Sequence, residues 1–214
     1  EGEGAGIRVI APGRLVDRRE SDMTVDMGPL DAFKLTDRDI RQAVNDRHTI
    51  KRQEGAHVAL LLRDELTLID DDGSARRLHT LVATPFDLRG RDTLLRLSLP
   101  RDDVELLKAH VVTDDDEILP ATSLRPGAVR FRRVEVGSTV VLQYLHERNA
   151  SHLVSDHYAN RWTFDGRGNQ LTRGRWVAAA PLTRGLTIHR HGPIEHDIQT
   201  SDGRNIHVFS ARDV

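Results

Sequence analysis

The 214-residue sequence contains no cysteine, which excludes disulfides, thiolate metal sites and a cysteine nucleophile within these residues. That absence suits an oxidising and a reducing compartment equally. Large aromatic residues are scarce, at five Phe, two Tyr and two Trp, so the core has a strong claim on each of them. No apolar run reaches the roughly 18 residues of a membrane span, and the first residues lack the apolar stretch of a signal peptide. Neither charge is in excess. Lys and Arg number 31 against 33 Asp and Glu, and the formal net charge of -2 gives no global field toward nucleic acid or an anionic membrane.

What is present is a globular composition, 38% hydrophobic and 30% charged, long enough for one large domain with a real core. The chain begins at Glu1 without methionine and stops after a strand-like stretch, so it reads as a piece of a longer polypeptide. Residues 1–54 form a lead-in, or the end of a preceding domain. Ile7, Val9 and Ile10 make a short strand-like run there, and Thr36 with Asp39 makes a capping-box pattern. Ile40 and Val44 follow at helical spacing, which predicts one short helix.

Residues 55–214 carry repeated strand and turn signals. The run from His57 to Ile69 ends in Asp70-Asp71-Asp72-Gly73 and resumes at Ala75, a hairpin whose Asp-Gly pair admits positive φ. Leu95, Leu97 and Leu99 alternate with polar neighbours, which predicts a strand over 93–99. Strands are further expected over 104–113 and 117–121, either side of Asp114-Asp115-Asp116, and from Val129 to Val134. The run from Thr139 to Leu145 is apolar on both alternate sets, as at a sheet centre. Trp162 with Phe164, the stretch from Trp176 to Pro181, and a last hairpin from Leu186 through Ser201-Asp202-Gly203 to Phe209 complete the series. With one helix among so many strands, the expected fold is mainly all-β, an antiparallel β-sandwich with a short N-terminal helical segment.

The order of these pieces resembles a bacterial domain of unknown function found immediately N-terminal to transglutaminase-like domains, which are papain-like cysteine folds. The residues that carry the resemblance are Leu66 to Arg77, then Val104 onward (VELLKAHVVTDDDEILPA), then Val134 to Tyr144 (VEVGSTVVLQY), then the aromatic stretch from His157 to Phe164. It runs from about Gly55 to Val214. The resemblance implies a non-catalytic module that scaffolds, positions a substrate or binds a peptide or ligand. It implies a downstream transglutaminase-like domain of the same polypeptide as partner, no cofactor, and a periplasmic or cell-envelope setting. The Cys, His and Asp of such chemistry would lie in that following domain, and no residue here takes a catalytic role.

Several constellations compete with that reading. His189, His191 and His196 are the densest histidine group, and His189 and His191 on one strand could share a Zn²⁺ in a metal-dependent enzyme. A solvated hairpin face explains them better, because no zinc-type spacing is completed. The acidic runs at Asp70–Asp72 and Asp114–Asp116 lack the calcium-loop pattern and read as turns. In the Arg-rich stretch Arg130, Arg132 and Arg133, Arg130 and Arg132 alternate with Val129, Phe131 and Val134, the exposed side of a sheet more than a nucleic-acid face. Trp162 and Trp176 are candidate stacking platforms for a carbohydrate-binding module, against the demands of an aromatic-poor core.

Overall fold

The computed structural model describes residues 25–101, 103–150, 158–164 and 168–214, together with the backbone of strands β1 (Ala5–Ile10) and β2 (Arg14–Arg19). The acidic turn forms as the sequence dictates. Strands β3 (Val58–Ile69) and β4 (Ala75–Pro85) pair antiparallel around it, Gly73 takes a φ of 85°, and its N–H donates to the Asp70 carbonyl at 3.0 Å. Strand β6 (Val104–Val112) meets the short β7 (Ile118–Pro120), and β10 (Thr139–Arg148) is buried between β4 and β6. The remaining strands of this sheet are β11 (Asn169–Leu171), β12 (Arg173–Pro181), β13 (Glu195–Ser201) and β14 (Arg204–Arg212).

The order across the sheet is β13-β14-β12-β3-β4-β10-β6-β1-β2, with β11 on β3 and β7 on β6 beside that path. A second sheet of three strands, β5 (Arg96–Ser98), β9 (Ala128–Arg130) and β8 (Ser123–Arg125), packs against it through Val129, Phe131 and Val134. The fold is mainly β, as the sequence predicts. The large sheet is mixed rather than purely antiparallel, because β12 and β11 run parallel to β3. Hairpin turns report only neighbouring antiparallel strands; a parallel pair requires a crossover, which leaves no turn signature.

Helix α1 (Asp37–Asn45) forms where expected, and its capping box is complete. The Asp39 N–H donates to Thr36 Oγ1 at 3.2 Å, and the Thr36 N–H donates to Asp39 Oδ2 at 2.8 Å. Its apolar stripe buries Ile40, Ala43 and Val44 on Leu61, Leu62, Val82 and Val141 of the large sheet. Leu30, from a 3-10 turn over Gly28–Phe33, and Met27, which precedes it, pack on Leu66, Leu78, Val177 and Ile206 of the same face. The lead-in thus helps to build the core.

A second helix, α2 (Leu88–Leu94), occupies the start of the stretch read as a strand over 93–99. Asp87 caps it by accepting from the Gly90 N–H at 2.9 Å, a local bond that outweighs leucine alternation. Residues 158–164 and 182–194 are irregular where strands are expected at Trp162 and at Leu186–Ile188. Both stretches pack on the sheet face opposite the helix, through Trp162, Phe164, Ile188 and Ile194. No helix among the described residues is long and apolar enough to cross a membrane, which leaves strands unaddressed.

Candidate functional site

A bulge in β3 aims the site. Pairing of β3 with β4 shifts between Leu60 and Leu62, so Leu61 is an extra residue and the alternation of side chains reverses there. Leu60 faces the three-stranded sheet, whereas Leu61 and Leu62 both face the helix. Beyond the bulge Asp64, Leu66 and Leu68 belong to the helix side, and Arg63, Glu65 and Thr67 to the opposite face. Two consecutive acids are therefore buried on opposite faces of one strand.

On the helix side, Arg175 on β12 answers Asp64. Its Nε donates to Asp64 Oδ1 at 2.5 Å and its Nη2 to the Phe33 carbonyl at 2.6 Å. Burial pushes the Asp64 carboxyl up, against the pull of Arg175.

On the other face, register places side chains in one row across six strands: His196, Phe209, Trp176, Glu65, His79 and Tyr144. Neighbouring rings are near parallel, His196 on Phe209 at 4.2 Å, Phe209 on Trp176 at 5.0 Å, and His79 on Tyr144 at 4.6 Å between centroids. Glu65, only 3% exposed, interrupts the aromatic row. Thr67 Oγ1 donates to its Oε1 at 2.8 Å while receiving the Trp176 indole N–H at 3.0 Å, and His79 Nδ1 lies 3.1 Å from its Oε2. Burial raises the Glu65 carboxyl despite the Thr67 bond and the positive charges of Arg77 and Arg63. Burial first, then Arg77, His146 and Arg63, pushes His79 down to about 3, so the neutral imidazole is the donor to Glu65. Burial, then the charge of Glu65, pushes the Tyr144 hydroxyl up to about 12.

Residues 158–164 lie over this row, fastened by side chains. Arg148 Nη1 donates to the Ala159 carbonyl and Arg63 Nη1 to the Thr163 carbonyl, both at 2.8 Å. The Arg77 and Arg148 guanidinium groups each sit 5.6 Å from the Tyr158 ring, and Arg63 sits 4.5 Å from the Trp162 ring. Phe164 closes the end against Gly174, where a Cβ would come within 2.7 Å of its ring.

The stacking candidates fall inside this assembly. Trp162 and Trp176 stack on each other at 6.5 Å and pack against the main core, with Trp162 also under Arg63. The histidine candidates separate. His189 and His191 are exposed in the irregular 182–194 stretch, while His196 lies on β13 beside His207, which sequence reading passed over. His196 Nε2 and His207 Nδ1 are 3.2 Å apart with ring centroids at 5.4 Å. Those two distances put the nitrogens nearly on the line between the rings, the geometry of an N–H···N bond and not of two lone pairs converging on a metal. Among the described residues no three His, Asp or Glu gather closely enough to hold a metal ion. The acidic runs serve turns and pairs: Asp72 accepts from the Ser74 N–H, and Asp116 accepts from buried Arg47 at 2.7 Å. Arg130, Arg132 and Arg133 are exposed.

Comparison with known proteins places the arrangement. No known family profile and no curated protein matches the sequence. Among solved structures, the chain is similar to a Parabacteroides distasonis ATCC 8503 protein described as a candidate protease. Identity is 12% and the TM-score 0.58, over 74% of this chain and 36% of that one. The likeness is one of fold. Lower matches include an M1 zinc metallopeptidase from Deinococcus radiodurans, at 13% identity and TM-score 0.38 over 73% of this chain and 39% of that one. Another is Legionella pneumophila aminopeptidase A, at 10% identity and TM-score 0.38 over 77% and 20%. The chain spans little more than a third of the Parabacteroides protein.

Proposed function

We propose that this chain is a non-catalytic β module of a larger hydrolase-type polypeptide, preceding a transglutaminase-like domain that it positions together with its substrate. The observation that supports this reading best is one of proportion. A fold that takes up 74% of this chain accounts for only 36% of a larger protein described as a candidate protease. The chemistry of the row points the same way. His79 and Tyr144 titrate far from pH 7, and Glu65 is closed off by Thr67, His79 and the overlying segment, so these polar groups are engaged with one another beneath a segment that Arg63 and Arg148 fasten. A papain-like partner would supply the Cys, His and Asp that acyl transfer requires.

The test is to assay this chain, and the polypeptide extended beyond Val214 in its parent, for peptide hydrolysis and acyl transfer. The extended protein is expected to be active and sensitive to thiol alkylation, with this chain alone inert. Hydrolysis by the chain alone, or a parent without a cysteine-based domain after Val214, would overturn the reading.

A further inference from the structure

Strand β13 ends the large sheet, and its outer edge has no partner among the described strands. Sheets commonly guard such an edge with charged side chains, lysine above all, with proline, a bulge or a very short strand, and of these β13 carries only the carboxylates Glu195 and Asp197. Within Glu195–Ser201 there is no lysine and no proline, the strand pairs with β14 through seven residues without a register shift, and six of the seven residues are exposed. Ile198, at its centre, is 56% exposed.

We infer that β13 is a self-association edge whose occupant is β13 of a second copy of this chain, paired antiparallel about a two-fold axis through Ile198. The strand's own sequence selects that register. Centred on Ile198, all seven residues pair: Glu195 meets Ser201 of the second copy, His196 meets Thr200, Asp197 meets Gln199, and Ile198 meets itself. Each carboxylate faces a neutral polar group, and the exposed isoleucine is covered by its own equivalent. Centred one residue earlier, Asp197 would meet Asp197 and like charges would oppose each other. Centred one residue later, only five residues would pair. The contact is isologous, so it closes at two copies and does not propagate as a fibre. It also extends both faces of the sheet continuously, with Ile198 beside His207 on β14.

Absence of cysteine makes the test clean. Directly opposed antiparallel residues have Cα atoms about 4.5–5.5 Å apart, inside the roughly 4.4–6.8 Å span of a disulfide. Under mild oxidation, Ile198→Cys is expected to form covalent dimers at least about tenfold faster than Thr200→Cys, whose opposite number is a histidine of the second copy. In sedimentation, the wild-type mass is expected to rise with concentration from 24.1 kDa toward twice that value, while Ile198→Lys stays monomeric. Ile198 is exposed, so unchanged circular dichroism of the lysine variant separates lost pairing from lost folding. A wild type that stays monomeric, a lysine variant that still dimerises, or equal cross-linking at the two cysteines would each overturn the proposal.

Discussion

Glu65 and His79 stand directly opposite each other on β3 and β4, with Nδ1 of His79 3.1 Å from Oε2 of Glu65. The contact joins a buried carboxylate to an imidazole that burial keeps neutral, so it is a hydrogen bond whose strength depends on the proton inventory of both groups. Around it, Thr67 ties Glu65 to Trp176, and Trp176 with the arginines holds residues 158–164 to the sheet. The consequences can be measured.

His79 predicts an acid weakness. Its folded-state pKa of about 3 lies below the ordinary 6.5, so the unfolded chain binds more protons and stability falls as pH drops through this window. The slope reaches about 1.4 kcal/mol per pH unit. Glu65 acts in the opposite sense, since its raised pKa contributes stability at low pH that is lost as pH rises above 4.5. Comparison with His79→Gln, which keeps a donor for Glu65 but does not titrate, isolates the histidine. Between pH 6.5 and 4.5, urea denaturation should show the wild type losing ground to the variant at about that slope. Parallel profiles would exclude a titrating His79.

Arg175 guards the other buried acid. Arg175→Met leaves Asp64 without its cation and should destabilise the protein by about 3–5 kcal/mol. Adding Asp64→Leu removes the stranded charge and should recover more than half of the loss, the Phe33 carbonyl remaining without its donor. Equal stability of the single and double variants in chemical denaturation would mean that Asp64 is not held as a buried charge.

Trp176 separates core packing from ligand stacking. Trp176→Ala should lower stability by about 3 kcal/mol through lost packing. Trp176→Phe keeps a ring on Phe209 but gives up the N–H to Thr67, a loss of about 1 kcal/mol. An alanine variant as stable as the wild type would free the ring for a ligand and revive the carbohydrate reading.

Local signals were legible where local bonds decide the structure. Asp70 to Gly73 turns because Gly73 reaches positive φ, and the helix starts at Thr36 because Thr36 and Asp39 exchange hydrogen bonds within four residues. The row across the sheet was not legible, because it depends on which strands meet and in what register. The reversal at Leu61 decides whether Glu65 joins His79 or the helix, yet Leu60, Leu61 and Leu62 read alike in sequence. His207 escaped notice for the same reason: it is 11 residues from His196 and becomes its neighbour only once the last hairpin closes. Trp162 and Phe164 imitate strand alternation in sequence, whereas their segment is irregular and is held by Arg63, Arg77 and Arg148 from three strands.

The parallel seam between β3 and β12 carries a kinetic consequence. Strands β3, β4, β6 and β10 lie within one stretch of chain and pair antiparallel with one another, so this half can assemble from short-range closures. Arg175 and Asp64, by contrast, are 111 residues apart, and loop closure must precede any reward from that pairing. Refolding should therefore proceed in two stages, with β12 and β14 docking last, and fluorescence of Trp176 should change in the slower one; a tryptophan signal complete in the first phase would argue against this order. During synthesis the lateral edge of β3 would wait, its backbone groups unpaired, until the last fifth of the chain arrives to cover it.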